Sequence, residues 1–286
     1  MKNKIYSSIN IFGLTIGLTS FLLIALYVFD ELTFDRFHKN ADNIYRVVED
    51  KTTSEGKETK IAGVAYQVSE RSKSDFPEIR NVVRLVVFGR TNISTTENTN
   101  VFYESFWTAN PGFLTTFDFP LLQGNRNSAL TAPHSVIVTE ETAKNLFGKT
   151  DVIGKLIKTD RDSVPFKITG VLKNFPANSH LSFDLIFSES SLTGEGFKKF
   201  VNSDWSSNAF STYLLLNGNA DVSEVETKIN TLVASNKDAD NKTKSKFILQ
   251  PLKDIHFYSA GIEEDINKAG NITYIYVFVS WRCSFY

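Results

Sequence analysis

Cysteine is almost absent from this sequence of 286 residues, and neither sign of charge is in excess. The one cysteine, Cys283, excludes an intramolecular disulfide framework and any metal site built from several cysteines. The 31 basic side chains are balanced by 32 acidic ones, so the formal net charge is −1. Because nucleic-acid-binding proteins usually carry a basic excess or stripe, the composition predicts no nucleic-acid partner.

The rest of the composition is ordinary for a folded protein. Apolar residues make up 42% of the chain and charged residues 22%, which is close to average globular usage and excludes a wholly disordered or collagen-like chain. The length is sufficient for one large domain or two small ones.

One long apolar run does occur, from Ile5 to Phe29, and it contains no charged residue. A helix needs roughly 20 apolar residues to cross the hydrocarbon core of a bilayer, so the run predicts a transmembrane helix over residues 1–29. A cleaved signal peptide would have a shorter apolar core, of about 7–15 residues, followed by a small-x-small cleavage site. Here the run leads directly into Asp30 and Glu31, which favours an uncleaved signal anchor.

The charges that flank this run predict its orientation. Lys2 and Lys4 precede it, and positively charged flanks tend to stay on the cytoplasmic side of the membrane. We therefore expect a cytoplasmic N-terminus, with residues 30–271 on the other side of the membrane.

A second apolar stretch closes the chain, from Ile272 to Tyr286, and reads ITYIYVFVSWRCSFY. It begins like a transmembrane helix, but its apolar character breaks at Trp281, Arg282 and Cys283. We interpret residues 272–286 as the truncated start of a second transmembrane helix, and the abrupt change after Ser280 suggests a frameshift or premature stop.

Strand and helix patterns alternate between the two apolar stretches, which predicts an α+β fold. β-Branched and aromatic runs predict strands at 44–48, 81–88, 135–138, 164–172, 181–187, 210–216 and 247–249. Helical periodicity and capping residues predict helices at 64–75, 140–147 and 221–235. The polar tracts 91–100, 188–196 and 236–245 are interpreted as surface loops, with subdomain junctions near residues 100 and 195.

No pattern in the sequence predicts an enzyme. The stretch AKNLFGKT, residues 143–150, ends like a phosphate-binding loop, but Ala143 stands where that motif requires glycine. The predicted helix also precedes Gly148 rather than following the lysine, so a helix end with a glycine C-cap is the better interpretation. No nucleophile elbow occurs either. We assign no catalytic, cofactor-binding, metal-binding or substrate-binding residue from the sequence.

The titratable residues are interpreted as structural. The four histidines, His38, His134, His180 and His256, are far apart in the sequence and lack paired-ligand spacing. The carboxylates Glu104, Asp118 and Asp184 have no visible acid–base partner. The acidic residues Asp30, Glu31, Asp35 and Asp42 follow the membrane run, and they are expected to form a solvated stalk beside the membrane, with ion binding as the alternative.

Three stretches together resemble one family. They are INIFGLTIGLTSFLLIALYVFDELTFDRFHKNADNIYRV at residues 9–47, the block at 119–188 that contains SVIVTEETAKNLFGKTDVIGKLI and ITGVLKNFPANSHLSFDLIFS, and LQPLKDIHFYS at 249–259. These stretches resemble the N-terminal part of FtsX/MacB-type ABC transporter permeases of the Bacteroidetes type. The resemblance implies a MacB-like periplasmic core domain over residues 30–271. It further implies a porter-like subdomain at about 40–100 and 195–258, and an inserted subdomain at about 101–194.

The function implied by the resemblance is mechanical. A separate cytoplasmic ABC ATPase hydrolyses ATP, and the permease, a homodimer or heterodimer in the inner membrane, transmits its motion to the periplasmic domain for export or extraction of a substrate. A periplasmic partner protein is also implied. The alternative is a membrane-anchored periplasmic binding or sensor module without transport activity.

Overall fold

The computed structural model describes residues 2–52, 55–97, 100–195, 197–198, 201, 205–237, 244–263, 270–273 and 275. It begins with helix α1, Lys2–Leu32, in which residues Lys4–Leu32 have the length and hydropathy of a membrane span. None of the most apolar window of this helix is buried against the rest of the protein. Because an apolar helix with no protein cover is unstable in water, α1 is a candidate membrane span, and it ends three residues later than the predicted helix.

The folded domain after α1 contains both strands and helices, which confirms the predicted α+β class. The described strands are β1 Ile44–Thr52, β2 Glu58–Ile61, β3 Ile79–Thr95, β4 Phe102–Ala109, β5 Leu121–Gly124, β6 Ser135–Thr139, β7 Leu156–Thr159, β8 Phe166–Leu172, β9 Leu185–Ser188, β10 Ser211–Leu216, β11 Lys244–Pro251 and β12 Ile262–Glu263. The described helices are α2 Tyr66–Asp75, α3 Gly112–Thr116, α4 Glu140–Phe147, α5 Val222–Ala234 and α6 Ile255–Tyr258.

Two β-α-β units form one end of the sheet. The units are β1–α2–β3 and β10–α5–β11, and their strands lie in the order β11–β1–β10–β3 with every neighbouring pair antiparallel. This is the arrangement of a split β-α-β fold. Val225, Ile229 and Val233 recur at helical spacing and pack in an apolar core with residues of these strands, so α5 covers the sheet because one of its faces is apolar.

The other end of the sheet closes into a ring of six strands. The order is β3–β4–β9–β6–β8–β7, and β7 pairs back onto β3. β3 belongs to both ends because its first half pairs with β10 and its second half with β4 and β7. A β-bulge between Val87 and Arg90 interrupts the pairing of the second half with β4; there Gly89 has a φ of 81°, a conformation that suits glycine.

Most of the secondary structure predicted from periodicity is present, including both helix caps. The Thr139 side chain accepts from the Thr142 N–H at the start of α4, and Asp221 accepts from Ser223 and Glu224 at the start of α5. Gly148 ends α4 with a φ of 70°, as predicted.

The prediction of a surface loop over 91–100 is wrong for its first half. Residues 91–95 continue β3, and the side chains of Thr91, Ile93 and Thr95 are buried. The alternation of β-branched residues with polar ones fits a strand, but the polar composition concealed it. The predicted strand at 181–187 is also shorter, since only β9 at Leu185–Ser188 pairs with neighbours.

The subdomain boundaries near 100 and 195 stay predictions. They fall between β3 and β4 and in the segment between β9 and β10. The predicted start of a second membrane helix at 272–286 lies outside the described residues, except for 272, 273 and 275.

Candidate functional site at the joint between helix and sheet

The end of the membrane helix is built into the folded domain. We call residues Glu31–Asn40, together with the side chains that they contact, the joint. The helix ends where Thr33 donates its hydroxyl and its backbone N–H to the Phe29 carbonyl. The chain then turns at Asp35, whose φ of 55° is left-handed, a conformation that aspartate tolerates better than most residues.

Asp35 is the most deeply buried acidic residue of the joint, with 1% of its surface exposed. Its backbone N–H donates to the Asn178 carbonyl at 2.9 Å, and its Oδ1 accepts from the His180 N–H at 3.1 Å. Its Oδ2 lies 2.9 Å from His180 Nδ1, without the alignment of a hydrogen bond. This contact becomes an ion pair when the imidazole is protonated. A buried carboxylate is costly unless it is bound in this way.

His180 continues this connection into the sheet. Its Nε2 lies 2.9 Å from the Tyr213 hydroxyl in a buried contact, and Tyr213 lies on β10 opposite Arg46 of β1. Asn178 adds a second link, because its side-chain amide donates to the Thr33 hydroxyl at 3.2 Å. The segment after α1 is therefore bound to the sheet through Asp35, His180 and Tyr213, and Asn178 fixes its first turn beside them.

His256 forms a second contact of the joint. Its Nε2 lies 2.8 Å from Glu31 Oε2, and its ring stacks on Phe34 with centroids 3.7 Å apart. The Gly270 N–H donates to the His256 carbonyl at 2.7 Å. A Cβ on Gly270 would lie 2.8 Å from Cε1 and 2.9 Å from Cδ2 of this ring, and closer still to Nε2. His256 therefore contacts both the last turn of α1 and the segment that returns toward the predicted second membrane helix.

His38 forms the third contact of the joint. Its Nδ1 accepts from the Asp118 N–H at 3.0 Å, and the Lys39 N–H donates to Asp118 Oδ2 at 2.8 Å. The ring lies among Phe37, Phe117 and Phe119, and burial lowers the pKa of His38 from 6.5 to about 4. The acceptor role of Nδ1 and this low pKa give a neutral ring at neutral pH.

The prediction of a solvated acidic stalk is wrong for Glu31 and Asp35, which bind His256 and His180. Asp30 is exposed, and the Asp42 side chain is 80% exposed, although it contacts Lys253. The error has a physical cause, because the partners of Glu31 and Asp35 are 225 and 145 residues away in the chain, where no local spacing rule reaches. Three of the four histidines converge on the joint.

The three carboxylates without a visible acid–base partner in the sequence each have neighbours in the fold. Asp118 belongs to the joint. Asp184 accepts from the Ser105 N–H at 2.8 Å and hydroxyl at 2.6 Å. Partial burial and the neighbouring charge of Asp184 raise the pKa of Glu104 to about 7. Within the part of the chain that the structure describes, no three His, Cys, Asp or Glu residues form a group that could hold a metal. Cys283 lies outside the described residues.

The arrangement of the joint suits transmission of force rather than chemistry. The three histidines and Asp35 are buried, and Glu31 and Asp118 are half-buried, so these groups are poorly placed to meet a substrate. They bind one short segment to three elements: β10 through His180, the segment after α3 through Asp118, and α6 through His256. These contacts on three sides restrict hinging between α1 and the sheet.

Comparisons with known proteins identify the family and the fold of this chain. The model of the MacB-like periplasmic core domain family matches residues 7–232. A permease-protein domain from Porphyromonas gingivalis is 20% identical, with a TM-score of 0.66, over 75% of this chain and 91% of that one. The periplasmic region of MacB from Actinobacillus actinomycetemcomitans is 13% identical, with a TM-score of 0.53, over 75% and 91%.

The extracellular domain of the ABC-type transporter YknZ from Gram-positive bacteria is 14% identical, with a TM-score of 0.50, over 71% of this chain and 99% of that one. No match was found among curated protein sequences. At these identities the solved structures show a shared fold.

The low pKa of His38 predicts a pH-dependent stability. The ring titrates near 6.5 when unfolded and near 4 when folded, so between these values protons bind preferentially to the unfolded chain. The free energy of unfolding should therefore fall from pH 6.5 to pH 4, by on the order of 3 kcal/mol from this group. His38→Asn keeps an acceptor for the Asp118 N–H but cannot titrate, so its denaturant midpoint in detergent should depend less on pH. Equal pH dependence in both proteins would contradict the assignment.

Gly270→Ala should destabilise the joint. The added methyl meets the His256 ring, and that ring cannot move away because Phe34 stacks on it. We expect a loss of about 1–3 kcal/mol in the free energy of unfolding. Gly218→Ala is the matched control, because nothing lies within 4 Å of a Cβ at that position. Equal thermal midpoints for the two variants would show that the close contact is not rigid.

Proposed function

Since the chain belongs to the family with the MacB-like periplasmic core domain, we propose that it is the N-terminal part of the permease subunit of an ABC transporter. In this proposal a separate cytoplasmic ATPase hydrolyses ATP, and the subunit couples that hydrolysis to export or extraction of a substrate on the periplasmic side. The observation that carries the proposal is the continuity of α1 with the joint. There His256 binds Glu31, which lies in the last turn of the helix.

The proposed location is the inner membrane, with α1 as the spanning helix. The N-terminus, with Lys2 and Lys4, lies in the cytoplasm in agreement with the positive-inside tendency. The sheet then lies in the periplasm. The proposed assembly contains two permease subunits, identical or different, and meets a periplasmic partner protein.

The proposed mechanism follows from the contacts of the joint. A shift of α1 driven by the ATPase displaces Glu31 and Phe34, which press on His256 and α6. The same shift displaces Asp35, and His180 passes the displacement to Tyr213 on β10. Since β10 pairs with β1 and β3, and β3 continues into the ring of six strands, the motion of one helix reaches both ends of the sheet.

The experiment measures whether the joint couples an ATPase to the domain. The full chain is purified from its native membranes together with any ABC ATPase that binds it, the complex is placed in lipid nanodiscs, and ATP hydrolysis is compared between the complex and the ATPase alone. Glu31→Gln weakens the contact with His256 and should reduce the stimulated hydrolysis several-fold. Asp30→Asn is the matched control, because Asp30 is the adjacent exposed acid, and it should leave hydrolysis unchanged.

Two outcomes would count against the proposal. If no ATPase co-purifies with the chain, the chain is better described as a membrane-anchored binding or sensor module. If an ATPase co-purifies but Glu31→Gln and Asp30→Asn behave alike, the joint is not the coupling element.

A further inference from the structure

The ring of six strands contains a cavity that shares no residue with the joint. Its volume is about 420 Å³, which lies within the range of small-molecule sites, roughly 300–1,000 Å³. The apolar core of the ring, with Val136, Val138 and Ile168, fills the rest of its interior. The cavity walls contain four phenylalanines: Phe88, Phe106, Phe166 and Phe187.

The β-bulge in β3 builds one wall of this cavity. Phe88 and Thr91 both line it, although residues three apart on a regular strand point to opposite faces. The bulge adds one residue to the strand where Gly89 adopts its positive φ. Because of this extra residue, the Phe88 and Thr91 side chains point to the same, inner face. Phe88 then stacks on Phe106 with centroids 5.4 Å apart and an interplanar angle of 3°.

The aromatic wall continues around the ring. Phe106 meets Phe187 edge-on at 5.4 Å, and Phe187 meets Phe166 edge-on at 4.4 Å. These rings come from four different strands or strand ends, β3, β4, β8 and β9, so the wall is a product of ring closure. A wall of phenyl rings binds a flat or compact apolar body.

One polar group inside the cavity lacks a hydrogen-bond partner. Thr108 lines the cavity beside Phe106 on the same face of β4, and 3% of its surface is exposed. Its Oγ1 has no partner among the described protein groups. Buried hydroxyls are normally satisfied, so the Thr108 hydroxyl is an unused hydrogen-bonding group at the cavity wall.

A cation lies at the mouth of the cavity. Arg161 is exposed there, with its guanidinium carbon 5.1 Å from the centre of the Phe106 ring. Its Nη2 donates to the Arg90 carbonyl at 3.3 Å, and its side chain forms no ion pair with the residues that the structure describes. Asp162 also lines the cavity, but its oxygens already have neighbours, since its Oδ1 accepts from the Val164 N–H at 2.9 Å and its Oδ2 lies 3.8 Å from His134 Nδ1.

We propose that this cavity is a binding site for a small, mainly apolar carboxylate. Its apolar body lies among the four phenyl rings, its carboxylate binds Arg161 at the mouth, and an oxygen on its body hydrogen-bonds to the Thr108 hydroxyl. Guanidinium groups bind carboxylates strongly and directionally, so the site selects anions over neutral or cationic molecules of the same shape.

The test uses three naphthalene probes with the full chain in nanodiscs. 6-Hydroxy-2-naphthoate carries both polar groups, 2-naphthoate lacks the hydroxyl, and 2-naphthol lacks the carboxylate. Binding is measured by equilibrium dialysis against empty nanodiscs, which corrects for partition into lipid. We expect 6-hydroxy-2-naphthoate to bind tightest and 2-naphthol to bind at least ten-fold more weakly.

Four variants assign the contributions. Arg161→Gln should weaken the binding of both carboxylates at least five-fold and change the affinity for 2-naphthol less than two-fold. Thr108→Val keeps the side-chain shape, and it should lower the affinity for 6-hydroxy-2-naphthoate to that for 2-naphthoate. Leu192→Trp, at the cavity wall, should exclude all three probes. Arg80→Gln removes an exposed charge from the start of β3, outside the cavity lining, and should change none.

The proposal is overturned if the carboxylates bind no more to the protein than to empty nanodiscs, or if Arg161→Gln behaves like Arg80→Gln. Binding that survives Leu192→Trp, with circular dichroism showing an intact fold, would place the probes elsewhere and also overturn it. If Thr108→Val still binds 6-hydroxy-2-naphthoate more tightly than 2-naphthoate, Thr108 does not bind the hydroxyl and that part of the proposal is wrong. None of these results depends on ATPase coupling, so they are independent of the proposed transport function.

Discussion

The contact between Asp35 and His180 is the interaction on which the rest of the structure depends. None of the most apolar window of α1 is buried against the domain, so burial of that window cannot fix the helix against the sheet. The Asp35 carboxylate accepts from the His180 N–H at 3.1 Å and also faces the His180 imidazole, with Tyr213 behind it, and this supplies a directional link instead. Such a link is favourable only while both partners are present, because either group left alone would be a buried, unsatisfied polar side chain.

The sheet gives this local contact a long reach. Tyr213 lies on β10, which pairs with β1 and β3, and β3 passes from the helix-covered end of the sheet into the ring. The bulge at Gly89 lies in the part of β3 that pairs with β4, and it also forms a wall of the cavity. The same strand thus connects the membrane helix to a candidate ligand site, which gives the molecule a physical route by which binding in the ring and movement of the helix could influence each other.

The sequence predicted what depends on local chemistry. Apolar length identified α1, and capping residues such as Thr139 and Asp221 located the helices. Family resemblance supplied the fold, and the family match confirmed it. The joint could not be predicted, because His180 and His256 are 145 and 225 residues away in the chain from Asp35 and Glu31. No local spacing in the sequence indicates contacts at that separation. The polar tract after Thr91 was misread because burial of a strand inside a ring is a tertiary property. The cavity could not be predicted from the sequence either, because it forms only when the six strands close into a ring.

The central claim is that α1 and the sheet move as one body through Asp35. The most direct measurement is the distance distribution between spin labels at Phe29 and Asn219, two exposed positions on α1 and after β10, for the full chain in nanodiscs. The account predicts one narrow distribution that broadens in Asp35→Ala and stays narrow in Arg36→Ala, its exposed neighbour. A broad distribution in the unaltered chain, or one that Asp35→Ala leaves unchanged, would contradict it.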